Sequence, residues 1–403
     1  MDIFKISSQN LCRNKLTTLL NIILVAFGVG ILTILFLAAN QIGDKLEKNA
    51  KDIDLVVGAK GSPLQLIMSS IYHIDFPTGN IPAADAYRLM KNPMVKRAVP
   101  LALGDNYNGY RIVGTDTTFT GLYGLSVQKG SFWKKDLEVT IGSAVALATN
   151  LHIGDSFYGA HGLTGSSDIH KQHAYLVKGI LKPQGNITDN LILTNIGSVY
   201  KMHEAPELEH EPHSATEAKE INNKQITAIL IQYRSPMSVI VFPRMVNQST
   251  NMQAASPAME SARLFSLIGV GVDTLKWFAA LIMGIAALSI FISLYNAMKE
   301  RKYDLAVMRC LGASKFRLFL LVLLDGLLVT TIGTCLGLLI GHTALELIGA
   351  FQESSQARLS GMVFVPQELY LIATGFFTGT LASVIPALQI YKVDIADTLT
   401  KAR

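Results

Sequence analysis

Charge is withheld from four stretches of this chain. Leu16–Gly43, Trp277–Met298 and Leu369–Tyr391 carry no Asp, Glu, Lys or Arg, and Leu318–Leu345 carries only Asp325. Each exceeds the roughly 20 helical residues that cross a bilayer core of about 30 Å, so four transmembrane helices are predicted. The first is too long for a signal peptide, and no small-residue cleavage site precedes the polar "QIGDKLEKNAKD", so it should stay as an anchor. Between the first and second stretches the period changes. "YRIVG", "LEVTIG", "AYLVKGILK", "LILTNI" and "ITAILIQY" are β-branched runs bounded by Gly, Asn, Asp and Pro, whereas "PAADAYRLMKNPMVKRAV" has a helical pattern broken at Pro93. The predicted fold class is a four-helix membrane protein with a large α+β extracytoplasmic domain inserted between helices 1 and 2.

The expected segments are an amphipathic N-terminal stretch 1–16, a first span 17–40, and an outer domain 41–263 with a polar insertion near 201–224. A stalk end and second span cover 264–298, a basic loop 299–315, a third span 316–349, a short outer loop 350–368, a fourth span 369–391 and a tail 392–403. Residues 257–276 read as a helix running into the second span. Half of the 403 residues are hydrophobic and only 16% are charged, too apolar for a soluble globule of this size. Lys5, Arg13 and Lys15 precede the first span, and Lys299, Arg301, Lys302, Arg309, Lys315 and Arg317 lie between the second and third, which places both flanks and both termini in the cytoplasm. Cys12, Cys310 and Cys335 all fall outside the outer domain, so that domain needs a packed core rather than disulfides.

"ERKYDLAVMRCLGASKFR" carries seven charged residues between two of the most apolar runs. As a helix it puts Tyr303, Val307 and Leu311 on one face with Met308 beside them and Lys302 and Arg309 opposite. Gly312 supplies a stop and Ser314 a new N-cap. Two readings stand: a knob that fits a socket on a partner protein, or a positive loop that only fixes topology.

The run "RKYDLAVMRCLGASKFRLFLLVLLDGLLVTTIGTCLGLLIG" resembles the membrane core of MacB-like and FtsX-like (type VII) ABC permeases, the superfamily of lipoprotein-release and macrolide-export systems. The likeness extends over "LCRNKLTTLLNIILVAFGVG", the outer-domain landmarks "VKRAVP", "IVGTD", "GSFW", "VTIGSAVA", "LHIGD" and "LVKGIL", and the exit "ASVIPALQIYKVDIADTL" with Pro386. Ile395 stands where that tail usually has proline, and Asp325 where the family commonly has Glu. The resemblance implies that Lys302, Tyr303, Val307, Met308, Arg309 and Leu311 form a coupling helix against a separate cytoplasmic ABC ATPase. It further implies a homodimer in the bacterial inner membrane with two ATPase copies, ATP and Mg being held by those subunits. The load would be a lipoprotein, hydrophobic peptide or drug, with or without a periplasmic adaptor. The alternatives are an FtsX-like regulator of a cell-wall partner and a component of a zinc-linked system.

The chain itself is expected to be non-catalytic. "GAKGSP" lacks the spacing of a phosphate-binding loop, no nucleophile–histidine pairing presents itself, and no nucleic-acid partner is expected. Asp325 lies about 12 Å along its helix from Arg317, where a charge costs roughly 2.5–3.5 kcal/mol. It should pair with a hydroxyl or amide of another span, or serve substrate contact or gating. Gly333, Gly337 and Gly341 form a small-x-x-x-small face for close helix approach. Seven of the nine histidines fall between His152 and His213. His170 and His173 beside Asp168, and His210 and His213 between glutamates, are zinc-ligand candidates, against the plain reading of a solvated polar insertion.

Overall fold

The computed structural model describes residues 3–161, 173–203, 224–351 and 358–392. The chain divides into two compact units, one built from 1–42, 268–351 and 359–403, the other from 43–267 and 352–358. Both divisions in the first 300 residues fall inside continuous helices, Lys15–Asn49 and Pro257–Glu300.

Four helices among the described residues are long and apolar enough to span a membrane: Lys15–Asn49, Pro257–Glu300, Lys315–Ala350 and the helical stretch Glu368–Tyr391. A short helix, Ile3–Arg13, precedes the first. Without a hydrophobic drive between helices in lipid, packing depends on close backbone approach and polar contacts. The third span supplies both. A β-carbon placed on Gly333, Gly337 or Gly341 would lie 2.7, 2.7 and 2.6 Å from the Cβ of Val25, Val29 and Thr33 of the first span. On another face Thr330 and Thr334 fill the space left by Gly379 and Gly375 of the fourth span. The second span joins the first through Ser289 Oγ, which donates to Asn21 Oδ1 at 2.6 Å, and through Met283, Ala286 and Ile290 packed with Val25 and Val29.

The second unit is built on a mixed sheet that has eleven strands among the described residues. Its main path runs Met252–Ala255, Leu55–Ala59, Ala228–Tyr233, Val95–Tyr107, Tyr110–Thr115, Leu191–Asn195, Glu138–Ile141, Tyr175–Leu181 and Val127–Gly130. Apolar clusters fill it, one around Leu55, Val57, Ile229, Ile231 and Phe242, another around Ile112, Val139, Ile141, Val177 and Ile192, and a small one of Ala102, Ile196 and Val199. Each fully buried aliphatic side chain contributes about 1.5–3 kcal/mol, which is how a disulfide-free domain is held. The first part of the helical pattern broken at Pro93 forms the helix Ala83–Met90, but the part after the break is not helical. Residues 95–107 instead form a strand whose Val95–Leu101 part pairs antiparallel with Ala228–Tyr233. Local helical periodicity there yields to the ladder and to burial of Val95, Val99 and Leu101. The first-span helix runs nine residues beyond the predicted end at 40, because "QIGDKLEKN" has no proline to stop it and Gln41, Lys45, Leu46, Glu47 and Lys48 are good helix formers.

His73, at φ 55°, is buried beside the guanidinium of Arg111, which is also buried and donates to the Asp75 carbonyl at 3.1 Å. Burial first, then repulsion from Arg111, pushes the imidazole down to about 3, with the Ser69 carbonyl opposing weakly. No ring nitrogen makes a well-formed hydrogen bond. The folded domain therefore holds this histidine neutral while the unfolded chain protonates it below about 6.5. Stability is complete above that pH and falls toward pH 3, by up to about 1.4 kcal/mol per pH unit from this group. In full-length Trp277→Phe protein, buried Trp133 becomes the sole tryptophan and reports on this domain. Its denaturant midpoint should fall between pH 6.5 and 4, and His73→Asn, which tolerates the left-handed backbone, should flatten that fall; equal slopes would refute the assignment.

The glycine stripe yields a second test. Gly337→Ala should destabilise the membrane unit by about 1–3 kcal/mol, since the new methyl meets Val29 and the Ala26 carbonyl oxygen, 2.8 Å away. Gly284→Ala on the second span, where nothing lies within 4 Å, is the control and should be neutral in thermal unfolding monitored in detergent.

Candidate functional site

The basic loop folds as a short helix, Lys302–Cys310, closed by a Schellman turn. Ala313 N donates to the Met308 carbonyl at 3.0 Å and Gly312 N to that of Arg309 at 3.1 Å, with Gly312 at φ 96°, a backbone that favours glycine. Ser314 then caps the third span, its Oγ accepting from Arg317 N at 3.2 Å. The helix is rooted on one side: Leu305 and Ala306 are buried, and Leu305 packs with Met298, Leu318, Val322, Ala387 and Ile390. On the other side Tyr303 and Leu311 are exposed, Leu311 to 83%, and Lys302 at the helix start is exposed as well. Val307, Met308 and Arg309 are half-buried. Of the expected knob face, Tyr303 and Leu311 thus point outward and Val307 is partly covered, while Met308 joins the rooted side.

Asp325 is 7% exposed and ten residues past the start of its helix at Lys315. Its partners are a hydroxyl and an amide, as the sequence suggested, but on the N-terminal helix rather than on another span. Ser7 Oγ donates to Oδ1, and Asn10 Nδ2 lies 3.5 Å from Oδ2. Arg301, which begins the short helix, donates to the Asn10 carbonyl at 3.4 Å. A cleft lined by Asn10, Arg13, Arg301, Asp304, Met308 and Asp325 joins these elements. Ser7 is fully buried, and Asn10 and Leu11 are half-buried, so the N-terminal helix turns a polar pair toward the bundle and leaves Phe4 60% exposed.

The other predicted residues lie apart from this cluster. Gly333, Gly337 and Gly341 face the first span, and Pro386 is buried near the end of the fourth, beside Ala387 of the cluster that roots the short helix. Among the zinc candidates His173 is exposed; Asp168, His170, His210 and His213 lie outside the described residues. No group of three metal-ligating side chains occurs among the described residues.

A polar cluster that the sequence reading passed over closes the far end of the third span. His342 contacts the Gly361 carbonyl through Nδ1 at 2.5 Å and Glu368 through Nε2 at 3.2 Å, and Glu368 accepts from Val365 N at 2.8 Å. Glu346 accepts from Ser360 Oγ at 3.0 Å and Gly361 N at 2.7 Å, while Gln41 exchanges two hydrogen bonds with the Ser360 backbone. An ionisable residue inside an apolar helix was the available signal, and His342 carried it as Asp325 did.

Comparison with known proteins gives the context for this geometry. The MacB-like periplasmic core domain model matches residues 18–241, more than half of the chain, and the FtsX-like permease C-terminal model matches 277–395. An uncharacterized ABC transporter permease protein of Mycobacterium tuberculosis is 26% identical over 245 residues, 56% of this chain; the alignment spans only 25% of that relative's length. The periplasmic region of MacB from Actinobacillus actinomycetemcomitans aligns with 55% of this chain and 97% of its own, at 10% identity and a TM-score of 0.34. The extracellular domain of the noncanonic ABC-type transporter YknZ from Gram-positive bacteria aligns with 51% and 99%, at 14% identity and a TM-score of 0.30. With the core-domain match following the N-terminal helix and the permease match covering the short helix and the last two spans, this chain belongs to the MacB/FtsX-like permease family.

Proposed function

We propose that this chain is the membrane subunit of an ABC transporter in which a separate ATPase moves the Lys302–Cys310 helix, and that the motion reaches the sheet domain through the helices Lys15–Asn49 and Pro257–Glu300. The observation that carries this reading is the division of the short helix into a rooted side, Leu305 and Ala306, and an exposed apolar side, Tyr303 and Leu311. A purely topological loop has no need of a buried root, whereas a lever needs both root and handle. The subunit works as a homodimer in the cytoplasmic membrane with two ATPase copies, its termini inside and the sheet domain outside. Its load is a lipoprotein, hydrophobic peptide or drug, moved by rigid-body displacement. ATP and Mg stay on the partner.

The tagged wild-type chain, solubilised from its own membranes, should retain an ATP-hydrolysing subunit. Tyr303→Asp/Leu311→Asp should lower that recovery at least tenfold, since two charges enter a contact that must desolvate them, while detergent gel filtration of the permease stays unchanged. Wild-type ATPase recovery persisting in the double variant would refute the docking face. Orientation is tested separately. In a variant with its three cysteines replaced by serine, Lys129→Cys should react with an impermeant maleimide once the outer membrane is opened, and Ser314→Cys should not; the opposite pattern would invert the topology.

A further inference from the structure

The N-terminal helix Ile3–Arg13 is joined to the bundle in a costly way. Ser7, Asn10 and Asp325 bury a hydroxyl, an amide and a carboxylate whose hydrogen bonds must offset their own desolvation. Such a set discriminates: it is satisfied in one register and leaves a buried carboxylate stranded in others. The set also reaches a third element. Arg301 donates to the carbonyl of Asn10, the residue whose side chain meets Asp325, so the start of the Lys302–Cys310 helix, the N-terminal helix and the third span converge on one carboxylate.

We propose that Asp325 is a latch that fastens the N-terminal helix to the third span at the base of the Lys302–Cys310 helix, so that the three move together and the N-terminal helix forms part of the transmission path. Asp325, Ser7 and Asn10 are positioning residues: they touch neither nucleotide nor load. The transmission half of this inference rests on the permease reading above; the latch half does not. Three features support it. Ser7 is 0% exposed on a helix whose neighbouring residues Phe4, Lys5, Ser8 and Gln9 are exposed, so the polar contact is where this helix is pinned. Among the described side chains of this helix Phe4 and Cys12 are exposed and Ile6 and Leu11 half-buried, so the fully buried one is the hydroxyl of Ser7. Finally, Met308 of the short helix lines the Asp325 cleft together with Asn10 and Arg301, so a displacement of that helix acts on both sides of the latch.

The test uses the full chain, with Cys12, Cys310 and Cys335 replaced by serine and a nitroxide label on Ser8→Cys, an exposed site on the N-terminal helix. The label spectrum is recorded in detergent with and without the co-purifying ATPase. Asp325→Leu should release the helix and sharpen the label's lines, and Ser7→Ala/Asn10→Ala, which leaves the third span untouched, should do the same. Both should retain wild-type recovery of the ATPase but lower its hydrolysis rate at least fivefold. Asp325→Asn can still accept from Ser7, and the Asn10 amide can reverse to meet it, so label order and hydrolysis should stay within twofold of wild type. Label spectra unchanged in both releasing variants would overturn the latch. A released helix with an unchanged hydrolysis rate would overturn the transmission role. Failure of the wild-type chain to recover any ATPase would overturn the permease reading instead, and the label spectra would still decide the latch.

Discussion

The membrane unit depends on how closely the third span can approach its neighbours. In hydrocarbon, an apolar side chain gains nothing by leaving lipid for another helix, so association has to come from short-range packing and a few polar contacts. Gly333, Gly337 and Gly341 bring the third span onto the backbone ridge of the first, and Thr330 and Thr334 fit the hollows left by Gly379 and Gly375 on the fourth. The same helix therefore keys two others. Once it is fixed, the root of the Lys302–Cys310 helix follows, because Leu318 and Val322 of the third span and Ala387 near the end of the fourth form the floor on which Leu305 sits.

That floor has a mechanical consequence. A push on a helix buried at Leu305 and Ala306 but exposed at Tyr303 and Leu311 would pass into the spans instead of bending the helix in isolation, since packed interfaces move as blocks and resist continuous deformation. The Schellman turn at Gly312 and the Ser314 cap leave no slack between that helix and the third span. Asp325 extends the block to the chain's N-terminal helix.

Much of this was legible in the sequence, and the reasons separate cleanly. Spans could be read because charge is excluded over long stretches, and the glycine stripe because a four-residue spacing recurs on one helical face. Gly312 and Ser314 carried their turn chemistry in their side chains, or in the lack of one. The strand 95–107 was misread over "VKRAV" because its identity is set by the partner strand 228–233, more than a hundred residues away, which local periodicity does not contain. Asp325 announced itself as a buried charge, but its partners did not: Ser7 and Asn10 are ordinary polar residues of a terminal helix, and only the fold brings a separation of 318 and 315 residues to contact. His342 is a lone histidine in an apolar helix, and its contacts with the Gly361 carbonyl and Glu368, like those of Asp325, are supplied only by the fold.

His342 completes the account of the third span. Near one end Asp325 meets the N-terminal helix, and at the other His342 and Glu346 hold the 360–361 turn, which Gln41 of the first span grips from its own side. Glu368 adds the start of the fourth span through His342. A helix keyed by glycines along its middle and tied by polar groups near both ends has few ways to slide or rotate alone. Any displacement delivered at the Lys302–Cys310 helix must then be carried by the spans as a set. The polar ties cost desolvation, and they convert a bundle that lipid would allow to slip into one that keeps its register under load.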